Sequence, residues 1–598
     1  MSLGQRLGAP GVPDARAGPT AVLTTRLAAH PVLAALLLAA ALHLLWWWLL
    51  ANSGGDIAAQ DAWAEFARDH PGSAYNLAWY GGMHPVSYSI LSPYLMALAG
   101  VRTTMMFAGP LSAALLALVL VRSQAVERPL WPALYGAVAI TGNAVSGRVT
   151  FGLGTLFALG AVAVVFAWPQ RWRTAAPRHR LPRGVLAGLL STLATASSPV
   201  AGLFLGIAAA ALWLGRRRAA ALAVGVPPVL VVAFSAVFFP FAGLQPMGLA
   251  SMVLPIALGA AVVMLVPRSW LSVRLGAAVY VVVVLVTWIV PSPIGTNVTR
   301  LGLLFGGVLL VAGACTPAAR TAADRWASRP ALAALLALAI ATSSAWQVGT
   351  AARDAITTAP PDAWAADVQP LIKQLEVRRA GLARVEVVPS SSHREAAALA
   401  PYMNLARGWN RQADAERNPI FYDDAALTAA SYRAWLDRWA VHYVVLPTAR
   451  RDAAAVAEAD LVAGGLHYLR PVWANPSWRL YEVRSPAPLA DPPAVVTHFD
   501  AAEVDVYMPR PGTVTVRIPD SPWLSLLDAS GKPLAAASTD PEGAAVSLVG
   551  CLSAALPGTD ADQKQDDWTV LHATRPGTYR IAAPYKLPRG TTCPQETD

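Results

Sequence analysis

Residues 86–100 read VSYSILSPYLMALAG, and whether they cross a membrane decides the fold. The segment is apolar but short, and it carries Pro93. A helical span needs roughly 20 apolar residues. Around this segment the hydropathy pattern gives eleven candidate spans. They fall at about 31–51, 103–121, 131–147, 151–168, 184–198, 199–214, 219–240, 248–266, 275–291, 301–316 and 330–348. If 86–100 stays on the surface, 18 arginines fall on the side of the N-terminus, including Arg171, Arg173, Arg178, Arg180 and Arg183 and the run Arg216–Arg218. Only Arg68, Arg102, Arg148 and Arg300 fall on the other side. That asymmetry satisfies the positive-inside rule. Counting 86–100 as a span reverses every later loop and breaks the rule. We therefore read it as an outer-surface or re-entrant helix. The odd number of spans then leaves everything after Val348 outside.

Composition agrees with a polytopic membrane protein. Apolar residues make up 55% of the chain and charged residues 14%, outside the usual range for a soluble globule. The organisation read from the sequence has four parts. Residues 1–30 form a cytoplasmic tail, and 31–348 a transmembrane domain whose first outer loop is 52–102. Residues 349–485 form an extracytoplasmic α/β domain, and 486–598 an extracytoplasmic β-rich domain. The strands Val385–Pro389, Val441–Leu446 and Trp478–Val483 alternate with helical patterns, which gives the α/β reading. After 486, Pro-Gly turns precede the strands Thr513–Ile518 and Thr578–Ala582, which suggests a small β-sandwich. Arg6, Arg16 and Arg26 precede the first apolar run as in a signal peptide. That run is too long, and no small-residue cleavage site comes before Asn52, so we read a retained helix. Much of the net charge of +10 lies in short loops. The arginines are not interleaved with aromatics, so membrane lipids rather than nucleic acid are the expected partners. Cys551 and Cys593 can form a disulfide if their region is outside the cell.

The loop after the first span carries the chemistry. From Gly54 to His84 it reads GGDIAAQDAWAEFARDHPGSAYNLAWYGGMH. Asp56 follows two glycines and precedes an amphipathic pattern, Ile57–Asp69. It suits a general base toward an acceptor hydroxyl, and equally a helix N-cap. Asp61 and Glu65 are four apart and share a helix face, either binding an acceptor or cation or facing solvent. His84, before Pro85, is a candidate for orienting an acceptor or donor, or simply an interfacial histidine. Trp46, Trp47, Trp48, Trp63, Tyr75, Trp79, Tyr80 and Tyr88 fit an interfacial aromatic belt. Arg148 and Arg300 lie in outer loops where orientation disfavours them. A forked guanidinium suits a lipid phosphate, and ordinary headgroup anchoring is the plainer alternative. The polar, aromatic segment Asn404–Asp424 suits a cover over the membrane site, a glycan contact or a surface loop.

These residues resemble the GT-C superfamily of membrane glycosyltransferases, nearest to its protein O-mannosyltransferase and aminoarabinose transferase branch. The resemblance covers residues 31 to about 348. It rests on Gly55-Asp56 after the first span, on the long first loop closed by His84-Pro85, and on Gly100-Val101-Arg102. It implies that Asp56 is the catalytic or metal-linked carboxylate, and that Arg148, Arg300 and Arg102 hold a polyprenyl-phosphate donor. No second acidic residue stands beside Asp56, and the family's Pro-Pro is here Pro85-Val86. These departures leave a divalent cation and the exact donor open. The segments RGWNRQAD and NPIFYDD are similar to actinobacterial membrane proteins of this layout.

The implied reaction moves a sugar from a polyprenyl-phosphate to an envelope glycan, lipid or protein at the outer face of a bacterial cell membrane. Two other readings compete. One is a transporter. Secondary transporters normally place ionisable groups inside their spans, and these spans hold only His43 away from their ends, which leaves transport of a neutral solute. The other is a non-catalytic scaffold for envelope assembly. The discriminating feature is whether Asp56 and the outer arginines meet at one cavity.

Overall fold

The computed structural model describes residues 29–51, 56–168, 180–241, 243–316, 321–325, 328–356, 361–423, 425–534, 550–555, 567–587 and 589–594. Of the expected cytoplasmic tail, residues 1–28 with Arg6, Arg16 and Arg26 lie outside the described residues, as do Gly55, Arg171, Arg173, Arg178, Arg320 and Asp424.

Each of the eleven apolar runs forms a helix. The helices of the N-terminal part are α1 (Pro31–Leu49), α2 (Asp56–Asp69), α3 (Pro85–Tyr88), α4 (Ser92–Ala99), α5 (Val101–Arg122), α6 (Leu130–Val145) and α7 (Val149–Phe166). Then come α8 (Arg180–Ser197), α9 (Pro199–Leu214), α10 (Arg218–Phe238), α11 (Leu249–Leu265) and α12 (Leu271–Ile289). The composite α13 (Gly295–Ala314) and α14 (Arg329–Ile356) complete the apolar part. Among the described residues, α1, α5, α7, α10, α12, α13 and α14 are long and apolar enough to cross a membrane. The segment 86–100 is cut into pieces. Its longest helix, α4, has 8 residues, a rise of about 12 Å, far short of a bilayer core. Gly100, at φ +88°, makes the corner into α5, a conformation that favours glycine. Pro199 opens α9 directly after Ser198, the extended residue that ends α8; proline suits that first helical position because its missing N–H has no partner to lose. Helix α14 runs eight residues past Val348, the end expected from hydropathy.

The strand-rich part follows. A five-stranded sheet has the order β2-β1-β3-β5-β4, built from β1 (Arg384–Val387), β2 (Asn404–Leu405), β3 (Val441–Pro447), β4 (Leu469–Ala474) and β5 (Trp478–Val483). β2, β1 and β3 run parallel, and β5 and β4 add antiparallel. Two further sheets follow, β10-β11-β8 and β6-β7-β12-β9. Their strands are β6 (Val495–Phe499), β7 (Glu503–Met508), β8 (Gly512–Pro519), β9 (Ser525–Leu527), β10 (Gly550–Ala554), β11 (Trp568–Ala573) and β12 (Gly577–Ala582). β8 alternates inward Val514, Val516 and Ile518 with outward threonines and Arg517, the period-2 pattern of a half-buried strand. Inward residues of both sheets share one core, including Val506, Val516, Leu526, Leu571 and Ile581. Cys551 and Cys593 are joined.

The first loop is not confined to the apolar part, and this corrects the belt reading. Its second half threads between the two strand-rich domains. Trp79, Tyr80 and Met83 lie in the core of the five-stranded domain, and Tyr75 and Leu77 lie in the sandwich core. Leu77 N donates to Ala501 O at 2.8 Å, and Leu405 N donates to Ala78 O at 2.8 Å. The aromatics meet protein because the loop's backbone finds its partners there. Trp46, Trp63 and Tyr75 are likewise buried, and Tyr88 packs against the five-stranded core. Of the expected belt, only Trp47 and Trp48 are exposed.

Candidate active site

The site begins with how α2 is held. Gln60, one turn after Asp56, is 1% exposed. Its Oε1 accepts from Thr150 N and Thr150 Oγ1, each at 2.7 Å, and its Nε2 donates to Gly147 O. The start of α2 is thereby pinned to the turn between α6 and α7. Gly147 has φ +68°, and a Cβ there would sit 2.8 Å from Ile57 N. Only glycine permits that conformation and that approach.

The same turn presents Arg148. Its Nε lies 3.4 Å from Asp56 Oδ2. Arg300 Nη2, from the second turn of α13, donates to the same oxygen at 3.4 Å. Arg300 also stands over the ring of Phe151, 5.4 Å from its centroid. Asp354 lies 3.6 Å from Arg148 Nη2 and accepts a short hydrogen bond from Ser146 Oγ. Both contacts to Asp56 are long, and Arg148 Nε is buried without a hydrogen bond. The guanidinium donors are therefore not saturated, and an anion can engage them. Immediately after Arg300, residues Gly302–Gly306 form a π-helical turn, a local irregularity frequent at functional sites.

These groups open onto a cavity of about 350 Å³, within the usual size range for small-molecule sites. Asp56, Gln60, Tyr88, Arg148 and Arg300 form its floor, and Trp409, Asn410, Arg411 and Gln412 its roof. The segment around RGWNRQAD thus does cover the site. The roof is rigidly held. Trp409 stacks on His393 with centroids 3.6 Å apart, and Arg411 forks onto Asp452 at 2.9 and 2.7 Å. Burial pushes the Asp452 carboxyl up, but hydrogen bonds from His393 and Arg411 outweigh it and hold the group well below the usual range. On the floor, burial pushes the Tyr88 phenol up to about 12, so it stays neutral and can donate.

The other expected residues do not reach the cavity. Asp61 is taken by two arginines: Arg102 at 2.7 and 3.1 Å, and Arg394 at 2.8 Å. Arg102 also donates to Ala51 O at 2.7 Å. The pair ties α2 to α5 and to the strand-rich domain, so neither residue is placed to hold an acceptor, a cation or a donor phosphate in this cavity. Glu65 shares that face of α2, and burial raises its pKa. His84 is 4% exposed. It lies between the rings of Tyr75 and Phe239, with Nδ1 2.8 Å from Ala74 O and Nε2 3.2 Å from Ser521 Oγ. It fastens the loop to the sandwich; its backbone O accepts from Ser87 Oγ of the cavity lining, but its imidazole does not line the cavity.

Sequence reasoning missed Gln60 and Asp354, and reached Arg411 only as part of the segment Asn404–Asp424. Gln60 had a readable signal, its helical spacing from Asp56. Asp354 fell beyond the hydropathy boundary at 348. As for a cation, Asp56 is the one carboxylate among the described residues lining the cavity, and two arginines already face it, which disfavours a metal there. Among the described residues, three metal-ligating side chains come together only at His498, Asp500 and Glu503, on the β6–β7 hairpin.

No curated protein matches the chain. Residues 491–598, which hold the sandwich, match the family model described as Domain of unknown function (DUF8823).

Proposed function

We propose that this chain is a membrane glycosyltransferase of the GT-C kind. In this reading the eleven apolar helices all cross a bacterial cell membrane, and both strand-rich domains lie on its outer face. The arginine asymmetry supports that orientation, and the Cys551–Cys593 disulfide suits an oxidising compartment. The observation that carries the reading is the meeting of Asp56, Arg148 and Arg300 at one roofed cavity.

A polyprenyl-phosphate sugar enters from the outer leaflet. Arg148 and Arg300 bind its phosphate and stabilise the charge that develops as the sugar departs. As they turn to the phosphate they release Asp56, which takes the proton of the acceptor hydroxyl. The roof at Trp409–Gln412 excludes water and contacts the acceptor.

The test is sugar transfer in proteoliposomes supplied with labelled polyprenyl-phosphate sugars and an envelope extract, comparing wild type with Asp56→Asn. Transfer by wild type and its loss, by a hundredfold or more, in a folded mutant is the expected result. Transfer that survives keeps the class and reduces Asp56 to a cap. No turnover of any donor sinks the proposal and makes solute uptake the next assay.

A further inference from the structure

At the end of the helical part opposite the cavity, a cleft of about 760 Å³ opens between α7, α8 and α10. Its polar lining is Arg183, Arg216, Arg217 and Arg218, with Ser123 at the end of α5. We infer that this cleft binds the phosphate of an anionic phospholipid headgroup in the leaflet opposite the strand-rich domains. The inference does not depend on the glycosyltransferase reading, only on the helices lying in a bilayer.

Three observations carry it. The first is charge. The sequence has no Asp or Glu between Glu127 and Asp324, so the segments that build the cleft supply no counter-charge of their own. Among the described residues, Arg216, Arg217 and Arg218 form no ion pair with a carboxylate; Arg217 lies over Phe166 and Arg218 over Trp213. Those aromatic faces hold the guanidinium planes and leave their N–H edges for an acceptor.

The second is construction. Arg183 Nε donates to Val164 O at 2.8 Å, and its Nη2 donates to Val165 O. It caps the last carbonyls of α7, so one cleft wall is a fixed element and not a waving side chain. Arg216 sits at φ +62°, a left-handed corner that turns the three consecutive arginines back over the cleft. A run of arginines serving only to set orientation needs no such corner.

The third is the start of α10. Its 21 residues begin at Arg218, no side chain caps it, and Arg218, Ala219 and Ala220 line the cleft. The free N–H groups and positive end of a helix favour a phosphate. Guanidinium edges and helix N–H groups thus converge at the depth where headgroup phosphates lie, and basic pockets between helices at that surface are suited to anionic lipids.

The experiment uses the full chain purified in detergent, with retained lipid phosphorus and thermal midpoint as readouts. Four additions are compared: phosphatidylglycerol, cardiolipin, phosphatidylcholine and inorganic phosphate. The variants are Arg217→Gln with Arg218→Gln, and Arg268→Gln as a same-side arginine outside the cleft. We expect the two anionic lipids to be retained and to raise the midpoint, with no effect of phosphatidylcholine. The double variant should lose at least tenfold in apparent affinity, and Arg268→Gln should lose nothing. If the double variant does not fold, Arg217→Gln alone carries the test, with a loss of at least threefold expected. Equal response to phosphatidylcholine, or equal loss in Arg268→Gln, overturns the site. Protection by inorganic phosphate equal to that by the lipids would assign the cleft to a free anion and overturn the lipid.

Discussion

Acidification should loosen the joint between the first loop and the sandwich, and His84 sets the pH at which it does. Burial pushes the imidazole down to about 4, against 6.5 in an unfolded chain. Between those values the unfolded state binds a proton that the folded state does not. Stability therefore falls as the pH drops below about 6.5, and the loss is complete below about 4. From pH 7 to pH 5 the two titrations differ by about 2 kcal/mol. The whole penalty belongs to the joint, because Nδ1 and Nε2 bond to Ala74 O and Ser521 Oγ, one on each side of it. His84→Gln removes the titration. Hydrogen exchange of residues 74–86 and 521–526, corrected for intrinsic rates, should show wild type losing about 2 kcal/mol of protection more than the variant over that range. Other groups, such as the half-buried His442, act equally in both proteins and cancel. Equal pH slopes in wild type and variant would refute the account of His84 as a neutral buried fastener.

Two other substitutions probe the site and its support. Gly147→Ala places a Cβ against Ile57 N in a left-handed backbone that costs an alanine about 1–2 kcal/mol. The start of α2 must retreat and carry Asp56 with it, so sugar transfer should fall at least tenfold while the protein stays folded; unchanged transfer counts against this placement of Asp56. Arg407→Leu strips the partner from Asp414 and Glu458, which it holds at 2.8 Å each. A buried pair broken on one side costs about 3–5 kcal/mol. The loss in a denaturant melt should shrink from pH 7 to pH 5, because burial raises Glu458 to about 6 and protonation relieves it; a melt like that of wild type at pH 7 would contradict the buried network.

How much was legible follows from the range of each interaction. The apolar helices were readable because each is a local pattern. The end of α14 was misread, since Arg353 and Asp354 break hydropathy without breaking the helix. Asp56, Arg148 and Arg300 stood out because charge is rare near those ends. Asp61 carried the same signal and proved different, because its partner Arg394 lies 333 residues away. No local pattern could show that. The burial of Trp79 and Tyr80 was hidden for the same reason: an aromatic at a membrane end reads alike whether it faces headgroups or a domain encoded later.

That threading of the first loop has a consequence for biosynthesis. Ribosomal synthesis delivers Trp79 early, yet its indole N–H is satisfied by Ala396, 317 residues later, and His84 waits 437 residues for Ser521. During that interval the loop has neither of its covers. The later-made domains therefore clamp the first loop. A truncated chain should betray itself by protease cleavage between residues 70 and 84, long before any apolar helix is disturbed.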